Sequence, residues 1–141
     1  FAGSEGSHHE DVVAFVAKHD LSSLVVMPGR VSHEYRNGLL KMADAMVFPS
    51  EYEGFGAPVI EAMLMGAPVI CSDRASLPGV VGDAGLVLPL TTDAWAPALD
   101  TVRARRTELV ALGHSRSQLF TAALSATDLV EQYRIALDGR Q

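Results

Sequence analysis

The sequence predicts an α/β fold, an open doubly wound parallel sheet of about four or five strands with helices on its faces. Three observations carry this. Short apolar runs at 24–27, 45–48, 68–71 and 86–88 alternate with stretches of helical periodicity. The runs lack polar alternation, as strands buried on both faces do. Met27 is followed by Pro28 and Phe48 by Pro49, which a continuing ladder would not tolerate.

Taken in order, Phe1-Ala2-Gly3-Ser4 reads as the end of a strand entering a Gly-rich turn, with the rest of that strand missing. A helix is expected from about His8 to Lys18, with Val12, Val13, Phe15 and Val16 apolar. After the strand at 24–27, Ser32 starts a second helix whose apolar face holds Leu39, Leu40 and Met42. The strand at 45–48 leads to a helix over 58–65, with Pro58 at its first position. Strands at 68–71 and 86–88 follow. From Asp93 onward the chain is expected to be helical, divided near Arg105 and again between Phe120 and Thr127. Gly-Ala-Pro-Val-Ile occurs twice, at 56–60 and 66–70. The first copy is assigned to a helix start, because Glu61-Ala62-Met63-Leu64 continues a helix. The second is assigned to a strand, which Cys71-Ser72-Asp73 ends.

At 141 residues the chain fits one domain with a sizeable core. Its 48% apolar and 20% charged composition is that of a soluble globular protein rather than a disordered one. The net charge is −6 with no basic stripe, which argues against nucleic acid or an anionic membrane as partner. No apolar run reaches the ~18 residues of a membrane span, so any membrane association would not run through this segment. Cys71 is the single cysteine and fits a reducing cytoplasm. Its apolar surroundings suit a buried strand residue better than a nucleophile. His8-His9-Glu10-Asp11 holds four potential metal ligands, but adjacent histidines on a helix point about 100° apart, so a helix start is the better reading. Arg103, Arg105 and Arg106, with Glu108 nearby, suit a solvated helix face. Trp95 suits a helix anchor on the core.

Ligands in open α/β sheets bind at the carboxyl ends of the strands. The richest such stretch is Pro49-Ser50-Glu51-Tyr52-Glu53-Gly54-Phe55-Gly56-Ala57-Pro58-Val59-Ile60-Glu61-Ala62-Met63. Gly54 and Gly56 allow positive φ and close approach of a ligand to the backbone. Pro58 fixes a helix start, which leaves the amides near Gly56 and Ala57 directed at an anion. Glu53 opens the loop, and Glu61 is expected in the first helical turn, where the dipole keeps it ionised. Carboxylates accept paired hydrogen bonds from vicinal hydroxyls. Hydroxyl, anion, hydroxyl is the layout of a nucleotide sugar. Blander readings exist: Ser50-x-x-Glu53 matches a capping box, though Gly54, Gly56 and Pro58 would spoil the helix it capped. Glu61 alone would serve as a dipole-complementing glutamate, and Phe55 as a core residue.

The run from Glu53 to Met63 resembles the E-x7-E signature of retaining glycosyltransferases of group 1, built from two Rossmann-like lobes in the GT-B architecture. The stretch leading in, Met42-Ala43-Asp44-Ala45-Met46-Val47-Phe48-Pro49-Ser50, is similar to that family too. So are Gly66-Ala67-Pro68-Val69-Ile70-Cys71-Ser72-Asp73, Leu77-Pro78 with Gly82-Asp83-Ala84-Gly85, and the turn Pro28-Gly29-Arg30-Val31. The resemblance implies that residues 1–141 are a nucleotide-sugar-binding C-terminal lobe, lacking its first strand and the N-terminal acceptor-binding lobe, and inactive alone. It implies that Glu61 holds the ribose hydroxyls and that Glu53 contacts the donor sugar and stabilises the charge developing as the glycosidic bond breaks. Gly54, Phe55, Gly56 and Ala57 would meet the diphosphate or sugar through backbone, and Arg30 and Val31 would border the base. The co-substrate would be a nucleotide diphosphate sugar, with no metal or other cofactor, and transfer would retain configuration. A basic pair that clamps the diphosphate in the family would lie upstream of Phe1. Gly79 stands where the family has glutamate, which leaves the 77–81 loop without a role. The alternatives are a sugar-nucleotide epimerase or phosphorylase of the same architecture and a non-catalytic Rossmann-like interaction module. A phosphorylase would need a cofactor lysine, and Lys18 and Lys41, the only two, sit on helices. Base, sugar, acceptor and oligomeric state leave no trace in the residues.

Overall fold

Three short runs of mainly apolar residues pair into a parallel sheet: β1 (Met46–Phe48), β2 (Val69–Ser72) and β3 (Gly85–Leu88), side by side in that order. Met46 is opposite Val69, and Val69 is opposite Gly85. The computed structural model describes residues 1–3, 6 and 8–138. The chain divides into two units, residues 1–39 and 40–141.

In the first unit, α1 (His9–Lys18) and the first part of α2 (His33–Met42) form where the periodicity places them. Ser32 starts α2 by accepting the Tyr35 N–H at 3.1 Å, a side-chain cap on an otherwise unpaired amide. The strand expected at 24–27 is absent. Leu24 and Val26 are 77% and 69% exposed, and the segment runs as turn and irregular chain. Its contact is with the start of the chain: the Phe1 amino group donates to the Val26 carbonyl at 2.8 Å, and Ala2 forms a single parallel bridge with Gly29. A ladder needs consecutive paired residues, and the one bridge between Ala2 and Gly29 does not extend into one. Ser4, expected at the end of that first strand, lies outside the described residues.

The second unit carries the sheet. Residues alternate across β2: Val69 and Cys71 join one cluster with Val59, Met63, Leu77 and Val81, and Ile70 joins another with Ala98, Val102 and Leu109. The first cluster packs under α3 (Ala57–Leu64) and α4 (Leu77–Val81), which link the strands. The second packs under α5 (Thr92–Ala104) and the start of α6 (Arg106–Ser117). Both faces of β2 are therefore covered, and all four of its residues are buried. Among the described residues the sheet has three strands rather than four or five. β1 is less covered than expected, with Val47 49% exposed. Leu40 packs on the first cluster, but Met42 is 85% exposed, so the expected apolar face of α2 is narrower than its sequence.

The repeated pentapeptide resolves as a helix start and a strand. Gly56, left-handed at φ 92°, precedes the first turn of α3, so Val59 and Ile60 are helical. Gly66, at φ 78°, ends the same helix: its N–H donates to Met63 O and the Ala67 N–H donates to Ala62 O at 2.9 Å, a Schellman closure. The chain then turns back, and Val69 and Ile70 enter β2. Identical residues thus take their structure from what lies on either side.

The helical tail divides as expected. α5 ends at Ala104 with Arg105 as its C-cap, a short 3-10 turn covers Gln118–Phe120, and α7 spans Ala122–Asp138. Trp95 anchors α5, its indole N–H donating to Pro89 O at 2.8 Å while the ring packs on the second cluster. His8 stands at the start of α1, 3.0 Å from Asp11 on the exposed surface. Arg103 and Arg105 pair with Asp100 and Glu108 on an exposed helix face. Arg106 departs from that picture. Its guanidinium crosses to the turn before β1, donating to Ala43 O at 3.1 Å and Asp44 O at 2.8 Å. Sequence proximity to two surface arginines concealed this reach of more than 60 residues. Burial lifts the Cys71 thiol to about 11, so it is protonated and inert near neutral pH.

Candidate functional site

The loop after β1 and the loop after β2 lie side by side because their strands are neighbours, and serine hydroxyls staple them together. Ser72, the last residue of β2 and fully buried, donates to the Ser50 carbonyl. Ser76 donates to the Glu53 carbonyl at 2.8 Å. Ser50 Oγ lies 3.1 Å from Tyr52 O and 3.3 Å from Glu53 Oε1, sharing one proton between two acceptors. Ser50 and Glu53 therefore meet side chain to side chain rather than through the backbone amides of a capping box, and residues 51–56 run as bends and irregular chain rather than as a helix. Their contact orients the half-buried Glu53 carboxylate.

From Glu53 the chain turns through Gly54 and Phe55 to Gly56, which is buried. A Cβ built on Gly56 would lie 3.1 Å from Leu77 Cδ2, so the backbone touches the start of α4 where a side chain would not fit. Ala57 begins α3 with Pro58 behind it, and no side-chain oxygen caps that first turn. The unpaired amides of a helix start favour an anion. Phe55 is 53% exposed and meets Phe120 edge to face at 5.9 Å, so it packs against the tail rather than the core.

Glu61 needs a correction. It is the fifth residue of α3, and the first turn holds no acidic side chain. The helix starts at Ala57, one residue earlier than expected, which moves Glu61 into the second turn, where dipole stabilisation has largely faded. Glu61 is half-buried between the buried Ile60 and Ala62. Arg30 and Val31 belong to the first unit, where they follow the Gly29 bridge, Arg30 exposed and Val31 half-buried. The 77–81 segment is not a loop: it is α4, and the Gly79 carbonyl accepts from Arg116. A signal for it was present, since serine before Leu-Pro is a helix-start pattern. Ser72 and Ser76 carry no such signal as site residues, because their staples depend on which strands are neighbours. Arg116 and Phe120 carry no local signal at all.

Among the described residues no group of three or more His, Cys, Asp or Glu side chains is placed to hold a metal ion. No helix among them is long and apolar enough to cross a membrane.

Residues 1–109 match the family described as "Glycosyl transferases group 1". The chain belongs to that family. A D-inositol 3-phosphate glycosyltransferase of Kineococcus radiotolerans is 30% identical over 153 aligned positions, covering 99% of this chain and 35% of the relative. The O-antigen chain mannosyltransferase B of Escherichia coli is 56% identical over 59 residues, 42% of this chain and 16% of that protein. Among solved structures, the sucrose-phosphate synthase of Thermosynechococcus elongatus superposes with a TM-score of 0.81 at 30% identity, over 97% of this chain and 37% of that one. The group 1 chain thus spans about a third of such relatives or less, and its Rossmann-like α/β fold is that of GT-B glycosyltransferases.

Proposed function

We propose that this chain supplies the donor site of a retaining glycosyltransferase, as the C-terminal lobe of a two-lobed enzyme whose other lobe binds the acceptor. The observation that carries the reading is the stapled turn from Glu53 to Ala57, left-handed at Gly56 and running into an uncapped helix start at the carboxyl end of β1. Family membership and the relatives' names support glycosyl transfer from a nucleotide diphosphate sugar.

In this reading the amides of Gly54, Phe55, Gly56 and Ala57 meet the diphosphate and the sugar attached to it. They are fixed before the ligand arrives, so they stabilise charge on the departing diphosphate without reorganising. Glu53, held by Ser50, accepts hydrogen bonds from the donor sugar and faces the positive charge that develops at the anomeric carbon. Glu61 accepts from the ribose diol. The leaving group needs no metal where amides and basic side chains meet its charge. The chain requires its partner lobe for turnover, and the buried, protonated Cys71 suits a cytoplasmic enzyme.

Calorimetric titration with UDP, GDP and ADP at millimolar concentration tests the reading, with Glu61→Ala as the control. Binding of one nucleotide that the substitution abolishes is expected. Binding that survives Glu61→Ala would place the ligand elsewhere and overturn the assignment.

A further inference from the structure

The loop that carries Glu53 and Gly56 is gripped from a second direction by the helical tail, beyond the part of the chain that matches the family. Arg116, near the end of α6, donates through Nε to Val80 O at 2.9 Å and through Nη2 to Gly79 O, tying the tail to α4. Its guanidinium carbon lies 5.4 Å from the centre of the Phe120 ring. Phe120 in turn meets Phe55 edge to face. At the other end of α4, Ser76 holds the Glu53 carbonyl and Leu77 abuts Gly56. The contacts close a ring: loop, α4, Arg116, Phe120 and loop again. Gly82 leaves room for it, since a Cβ there would lie 3.3 Å from the Arg116 guanidinium carbon.

Phe120 packs on the first core cluster, whereas Phe55 is half exposed, so their contact ties the loop to a ring that the core already holds. What it fixes is direction. Phe55 sits between Gly54 and Gly56, neither of which has a side chain to hold the loop, and anchoring its ring adds to the Ser76 staple in setting the amides on either side. The guanidinium holds the Phe120 ring by cation–π attraction while its N–H groups are committed to α4.

We propose that Phe120, held by Arg116, is a positioning residue for the donor loop, setting the amides at 54–57 against the diphosphate. This rests on the donor-site reading above. It predicts a split by ligand length. A nucleoside monophosphate, held through base and ribose, should not sense the brace, whereas the second phosphate should.

The test measures dissociation constants of the 141-residue chain for UMP and UDP, GMP and GDP, and AMP and ADP. Native protein, Phe120→Ala, Phe120→Leu and Phe120→Tyr are compared for the base that binds. Diphosphate affinity should fall about 3- to 10-fold in the alanine and leucine variants, the range of one aromatic pair, with monophosphate affinity unchanged and tyrosine restoring the native value. Leucine keeps most of the packing, so the split is readable there if alanine unfolds the chain. Equal losses for both ligands, or no loss for either, would overturn positioning while leaving the donor site intact. Absence of any binding by the native chain would remove the donor-site reading, and this inference with it.

Discussion

Replacing Gly56 by alanine tests the geometry of the turn most severely. At φ 92° an L-residue pays about 1–2 kcal/mol to hold the left-handed region. The added methyl also lies 3.1 Å from Leu77 Cδ2, and Leu77 is fully buried against the first core cluster and has little freedom to retreat. Overpacking of that kind costs roughly 1–2 kcal/mol more. Together the two terms give about 2–4 kcal/mol, which for a domain of this size lowers the melting temperature by roughly 6–15 °C. Gly66→Ala separates the terms. Gly66 is also left-handed, at φ 78°, but its nearest neighbour to a new Cβ is His114 Nε2 at 3.6 Å, an ordinary contact on an exposed side chain. It should lose only the conformational part, about 1–2 kcal/mol. Thermal unfolding followed by circular dichroism reads both. A Gly56 variant no less stable than the Gly66 variant would refute the close contact with α4.

Arg106→Ala should destabilise the chain by about 1–2 kcal/mol in urea titration, because it removes two charge-assisted hydrogen bonds to Ala43 and Asp44, whereas Arg103→Ala on the exposed face should leave the midpoint unchanged. Ser76→Ala frees the Glu53 carbonyl and should cost about 1 kcal/mol of stability while weakening nucleotide binding in the calorimetric assay. Burial raises the Cys71 thiol from 9.0 to about 11. The folded state therefore retains a proton the unfolded chain has lost, so stability is complete below pH 9 and falls between pH 9 and 11 by on the order of 2 kcal/mol. Cys71→Ala should flatten that alkaline slope, and an unchanged slope would assign it to other groups.

The second unit was legible because each of its strands is an uninterrupted apolar run flanked by turn residues, and because tight loops join them to helices. The 24–27 run has the same local character yet forms no strand, since a strand needs a paired neighbour and local character does not say whether one is there. The reach of Arg106 to Ala43 and of Arg116 to Gly79 escaped for the same physical reason. Long side chains act across space, and a basic residue on a helix reads alike whether it meets water or a carbonyl. In the site itself, glycine and proline spacing marked the turn at 54–58. The hydroxyls that hold it, Ser72 and Ser76, became visible only once β1 and β2 were adjacent. Glu61 falls in the second turn rather than the first because the helix start is set by the backbone at Gly56, one residue before the proline that marks it in sequence.

The central claim is that the amides at 54–57 receive the diphosphate of a nucleotide sugar. Nitrogen-15 and proton correlation spectra of the chain, recorded while UDP, GDP or ADP is added, test it directly. One nucleotide is expected to shift the Gly54, Phe55, Gly56 and Ala57 resonances most, and Glu61→Ala to abolish the shifts. Saturable shifts confined to other residues, with these four amides unmoved, would contradict it.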